Sequence, residues 1–300
     1  MVAPTSGCAP TPADTAPGVD LAAARRYVLG RQTPQGGYCY YRTPEWGVEE
    51  PNAPDTLAAL ECLRALATAP PRRESTVRWL RALQSPRGSY ATLTIGCAAV
   101  HALELLGARP RLTPDAWVRR VTARLLERAG AREWRTALGD ALRVVELHRV
   151  CAIELGGDER EALGLLLAAA RDRAGVWARP GGDLHTTALA VRAARLGGIA
   201  ERADGAVADF VARCEDAALG LRLAPDAAAT SAGALWGGLE LMRTLHMTPT
   251  YPAAIAASVA LLQRPEGGLA ARHRGLATLH DTWLGLRAAR LLQLTQEGCA

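Results

Sequence analysis

Apolar residues recur at helical spacing along most of the chain, in segments broken by short turns containing glycine and proline. Two kinds of segment alternate. "DTLAALECLRAL", "TIGCAAVHALELLG", "TTALAVRAARLGG" and "DTWLGLRAARLL" are alanine-rich and apolar on most faces. Segments such as "TPDAWVRRVTARLLERA" instead carry arginines on one face and aliphatic residues on the other. The first kind suits an inner layer of helices and the second an outer layer. Thr113 is a predicted N-cap with Pro114 at the first helical position, where a missing N–H costs nothing. Alternating strand patterns are missing, so an all-α chain is expected.

The turns between these segments repeat. "YVLGRQTPQGGY" (27–38) returns as "RWLRALQSPRGSY" (78–90) and "ALLQRPEGGL" (260–269), each an apolar helix end, a glutamine, a Pro-containing turn, glycine and a large residue. Weaker copies are "LLERAGAREW", "AAARDRAGVW" and "FVARCEDAALGL". With Gln32, Gln84, Gly130, Gly175, Cys214 and Gln263 as markers, six units fill the chain after a Pro/Ala-rich segment, 1–19, expected to be unstructured. Six helical hairpins can close a ring. An open solenoid would need polar caps at both ends, and none is evident, so residues 20–300 are expected to form one α6/α6 barrel around a central cavity.

Composition narrows the function. Hydrophobic residues make up 49% and charged residues 22%, a soluble balance with ample core material. No run approaches the length of a membrane span, and the N-terminal residues have neither a basic nor an apolar signal region, so a cytoplasmic protein is expected. The formal charge of +5 is carried by arginine alone, because the chain contains no lysine. That excludes lysine Schiff-base chemistry and a P-loop lysine. The arginines are dispersed and not interleaved with aromatics, so no nucleic-acid partner is expected. Seven cysteines without a CxxC pair read as reduced thiols, many of them in the core.

The Gln-x-Pro-x-Gly-Gly-Tyr and "LLQRPEGGL" units resemble the repeats of the prenyltransferase and squalene-cyclase superfamily, which includes protein prenyltransferase β subunits and class II terpene cyclases. The resemblance implies an α6/α6 barrel with an apolar cavity for an isoprenoid chain. It covers residues 20–300, best in the first, second and sixth units. The zinc ligands of the prenyltransferases are not matched: Thr230, Ser231 and Ala232 stand where an Asp-x-Cys pair is expected, and Asp281 where a histidine is. The Asp-rich cyclase motif is matched in part by "NAPDT" (52–56) and "TLHDT" (278–282), with His280 at the proton-donor position. An imidazolium is a weak acid towards an alkene but serves as a base, or as an acid towards oxygen.

Ring closure would bring the sixth unit beside the first, so Asp55, His280 and Asp281 are the expected catalytic set. They would do acid–base work or, alternatively, hold a divalent metal; no other cofactor is expected. The bland reading is that Asp55 and Asp281 start helices. His280 and Asp281 point about 100° apart on a helix, so any partner must come from a neighbouring one. Tyr38, Tyr40, Tyr41 and Trp46, with His185, Trp236 and Trp283, are the expected substrate-binding residues, and Asp140 is expected to be solvated or capping. His101, His148, His246 and His273 show no constellation. The expected partner is a small apolar molecule, an isoprenoid by the resemblance, and the expected activity is acid–base cyclisation or isomerisation. The alternatives are a non-catalytic prenyl or lipid binder, or a metal-dependent transferase.

Overall fold

The computed structural model describes residues 18–40, 49–127, 134–172, 175–177, 182–199 and 205–297. Twelve helices occur among them: α1 (Leu21–Leu29), α2 (Ala53–Ala65), α3 (Arg73–Ala82), α4 (Leu93–Leu105), α5 (Asp115–Glu127), α6 (Trp134–Val150), α7 (Gly157–Ala170), α8 (Leu184–Gly197), α9 (Gly205–Cys214), α10 (Ala232–Leu245), α11 (Pro252–Leu261) and α12 (Leu279–Glu297). Local chemistry sets where several begin. Asn52, Thr92, Asp183 and Ser231 are extended residues whose side chains accept from the third amide of α2, α4, α8 and α10, and Thr278 does the same for α12. Each cap satisfies a backbone donor that the helix cannot pair internally.

The even-numbered helices pack on one another in turn: α2 on α4, α4 on α6, α6 on α8, α8 on α10, α10 on α12, and α12 on α2. Alanine content does not mark them out, since α11 has five alanines and no arginine while α6 has two alanines and three arginines. Each odd-numbered helix packs on the even-numbered helix that follows it. The buried core lies between these two sets, with α1, α2 and α5 to α12 contributing to one cluster and α2 to α6 to a second.

The repeated turn has a structural explanation. Gln32, Gln84 and Gln263 each donate to the carbonyl of their own turn glycine (Gly36, Gly88 and Gly267) at 3.0 to 3.2 Å. Each also bonds the start of the next unit's outer helix: Gln32 reaches Thr76, Gln84 reaches Leu112, and Gln263 reaches Asp20 at 2.8 Å. In the fourth unit Arg171 takes the same role, donating to Gly175. The large residue after the glycine, Tyr38, Tyr90, Trp177 or Leu269, is buried between the helix layers.

The threonine of each "DT" or "TT" pair closes the same device. Thr56, Thr187 and Thr282 occupy the fourth position of α2, α8 and α12 and accept from the amide of Tyr38, Trp177 and Leu269. They are buried and tie the helix start to the preceding turn.

Three expectations need correction. A small antiparallel pair, β1 (Glu215–Asp216) with β2 (Gly220–Leu221), is present, and isolated bridges occur at the first, fourth and sixth turns. These pairings follow from the turns folding back on themselves, which helical periodicity cannot register. Helix α5 begins at Asp115, and its first bond runs from Val118 N to the Pro114 carbonyl, so Pro114 lies before the helix proper. Val19, assigned to the unstructured segment, belongs to the core; residues 1–17 lie outside the described residues. Among the described residues no helix is long and apolar enough to cross a membrane.

Candidate functional site

The common cap registers α8, α10 and α12. Counting from Asp183, Ser231 and Thr278, the second positions are His185, Gly233 and His280, and the fifth positions of α10 and α12 are Trp236 and Trp283. These helices pack side by side, so equal registers meet. His185 stands edge-on to Trp236 at 5.4 Å between ring centroids, Trp236 is 6.4 Å from Trp283, and Trp283 is 5.5 Å from His280. Gly233 makes room for the row: a Cβ there would lie 3.0 Å from His185 Nδ1. That nitrogen and Trp236 Nε1 are buried without a hydrogen-bond partner.

Arg287, four residues and one turn after Trp283, completes the group. Its guanidinium lies 5.5 Å from the Trp236 ring and 5.3 Å from the Trp283 ring, and Nη2 is 3.8 Å from Glu240. Glu240 is nearly buried and also takes Arg243 at 2.8 Å. Burial pushes the Glu240 carboxyl up, but the hydrogen bond from Arg243 and the charges of Arg243, Arg287 and Arg192 outweigh it and hold it below the usual carboxylate range. Sequence reasoning missed Arg287; its i+4 spacing from Trp283 was the available signal.

His280 is exposed, yet protein crowds the ring enough that desolvation lowers its pKa below the ordinary histidine value. Asp281 and Asp55 oppose the shift, and Arg143 adds to it. The groups it senses therefore come from α12 itself, from the adjacent α2, and from α6, which stands opposite α12 in the packing order; His185 of α8 senses it in turn.

Asp55 and Asp281 occupy equivalent third positions, and both are engaged by their caps. Asn52 Nδ2 donates to Asp55 Oδ2 at 2.7 Å, as does the Tyr40 amide at 3.2 Å. Thr278 Oγ1 donates to Asp281 Oδ2 at 2.7 Å. The cap bonds tie both carboxylates to their helix starts, and their charges raise the His280 value against desolvation. The described side chains close enough together to ligate one ion are Cys97, His101 and Glu146; Asp55, His280 and Asp281 are not such a group.

The remaining candidates divide. Tyr38 is fully buried as the large residue of the first turn, which removes it from any cavity, and Tyr40 is half-buried against the core. Tyr41 and Trp46 lie outside the described residues. Asp140 is neither capping nor solvated: it lies in the second turn of α6, nearly buried, paired with Arg143 at 3.1 Å. His148 is a core residue, with Nε2 2.9 Å from Thr122 Oγ1 and Nδ1 3.2 Å from the Ile153 carbonyl. Ser231, in the region of the expected Asp-x-Cys, is the α10 cap. An open cleft of about 460 Å³ beside Arg119, Leu155 and Glu159 lies at the start of α7, away from the histidine–tryptophan row.

Burial lowers the pKa of His101, His148 and His185, so below the ordinary histidine value these rings are protonated less in the folded chain than in the unfolded one. Stability from this source is complete above the ordinary histidine value and declines as pH falls from there towards the lowered folded values. Each ring that is protonated only in the unfolded state contributes about 1.4 kcal/mol per pH unit in that window. Denaturant midpoints measured from pH 7.5 down to 5 should therefore fall, and His148→Gln should flatten the slope. The exposed His280 contributes little to this trend.

Compared with known proteins, the chain matches no family model and no curated protein.

Proposed function

We propose that the chain is an α6/α6 barrel of six helical-hairpin repeats, similar to terpene cyclases and prenyltransferase β subunits. We read it as an enzyme that isomerises or cyclises an isoprenoid or similarly apolar substrate, with His280 as the base. One observation carries this reading: His185, Trp236, Trp283 and His280 meet across three helices, and His280 is both accessible and shifted towards its neutral form.

In this reading the neutral imidazole of His280 takes a proton from the substrate and returns it at a second position. The imidazolium formed in between is disfavoured by desolvation and stabilised by the charges of Asp281 and Asp55. His185 and Trp283, both half-buried, hold the apolar part of the substrate, and Trp236, 2% exposed, is buried against both. Arg287 already stands against both tryptophan rings, so they are poor hosts for a free carbocation. The guanidinium better suits an oxygen-bearing or anionic end of the substrate. The arrangement therefore favours a single proton relocation over a long cation cascade.

Incubation with polyprenyl diphosphates and the corresponding alcohols in deuterium oxide tests this. Turnover with deuterium in the product is the expected result; saturable binding without product would establish the non-catalytic binder, a reading favoured by the cap bonds that already occupy Asp55 and Asp281. Trp283→Ala should lower kcat/KM by about tenfold, mainly through KM. The acid limb of the kcat/KM profile should lie below the ordinary histidine value, because His280 is shifted down. Asp281→Asn should move that limb lower still, since the charge it removes raises the His280 value.

A further inference from the structure

We propose that Cys97, His101 and Glu146 form a binding site for a zinc-class divalent ion between α4 and α6. Cys97 and His101 are one helical turn apart on α4 and share a face, and Glu146 comes from α6, which packs on α4. Their ligating atoms all lie within 4.8 Å of one another. Around a tetrahedral ion bound at about 2.0 to 2.3 Å, ligand atoms stand roughly 3.3 to 3.8 Å apart, so side-chain rotations bring this set to bonding geometry.

Three further observations support the cluster. His101 Nε2 is buried and has no hydrogen-bond partner, which a structural histidine such as His148 avoids with both nitrogens. The Glu146 carboxylate is oriented from behind by Arg192, whose Nε and Nη2 approach Oε1 at 3.2 and 3.0 Å, as the outer partners of metal-bound carboxylates do. Cys97 Sγ, buried, makes a long 3.7 Å contact with the Arg143 carbonyl, a weak bond that an ion would replace. A thiol and an imidazole select zinc or cobalt over magnesium or calcium. Three protein ligands leave a fourth position for water or for an oxygen of a bound molecule.

Titration of chelator-treated protein with Co²⁺, followed by Zn²⁺ displacement, tests the site. The expected result is one equivalent bound, with a thiolate-to-cobalt charge-transfer band and the intense visible bands of a tetrahedral centre. Cys97→Ala should remove the charge-transfer band, and His101→Gln and Glu146→Gln should each weaken binding at least tenfold. Arg192→Gln should weaken it by about tenfold. Zinc should raise the melting temperature of the wild type and not that of Cys97→Ala. The wild-type titration decides the matter even if a variant folds poorly: no charge-transfer band at one equivalent overturns the site. So does a band that survives Cys97→Ala, or one that disappears in Cys151→Ala or Asp281→Ala in its place.

Discussion

His280→Ala should abolish turnover while leaving the fold intact. General-base groups typically contribute 100- to 10,000-fold, so a loss of at least about 100-fold in kcat/KM is expected with a polyprenyl substrate that the wild type converts. The histidine is exposed at the second position of α12, and Thr278 rather than His280 caps that helix, so the melting temperature should hardly change. That combination, large in rate and small in stability, separates a chemical role from a structural one. Added imidazole should restore part of the lost rate, because the truncation leaves a space open to solvent. Asp55→Asn should cost less in rate and more in stability, since Asp55 bonds both Asn52 and the Tyr40 amide. Wild-type turnover in His280→Ala would remove the proposed base.

Gly267→Ala is expected to have the largest effect on stability. Gly267 has φ +99°, outside the range that L side chains adopt readily, and an added Cβ would lie 2.2 Å from the Ala23 carbonyl oxygen and 2.5 Å from its carbon. Those are backbone atoms of α1, so no side chain can swing aside. Strain at such a dihedral costs about 1–3 kcal/mol and overpacking adds about 1–3 kcal/mol, so a loss of at least about 2 kcal/mol is expected in denaturant unfolding. The clash falls where the last turn meets the first helix, beside the Gln263–Asp20 bonds. Gly36 makes the equivalent approach to Ser75, so Gly36→Ala should behave alike. Gly157→Ala is the control: nothing lies within 4 Å of the added Cβ, and its effect should be neutral or mildly stabilising. An unchanged midpoint for Gly267→Ala would show that the turn does not hold α1 in place.

Much of this was legible before any coordinates. The helical period was legible, but the division into alanine-rich and arginine-bearing segments does not follow the even- and odd-numbered helices: α11 has five alanines and no arginine, and α6 has three arginines. Equal cap spacing placed Trp236 and Trp283 in one register, and the structure brings them together. The role of the recurring threonine was not legible. In "DT" it looked like part of a catalytic motif, and Thr56 and Thr282 instead bond the backbone of the preceding turn. Local periodicity assigned His101 no constellation: Cys97 stands four residues before it, but the third member, Glu146, is 45 residues further along the chain on α6, at a distance no local period reports.

The sequence by itself determined what depends on neighbours along the chain: helical period, caps, the repeated Gln–Gly turn, the lack of lysine, and the registers of His185 and His280. These are local because each follows from backbone donors or side-chain spacing within a few residues. Only the tertiary structure decided which helices lie side by side, that Tyr38 is buried, that Arg287 stands against two tryptophans, and that Asp55 and Arg143 both act on His280. Those facts arise from packing between segments up to 225 residues apart, where contact energy and not sequence spacing selects the neighbours.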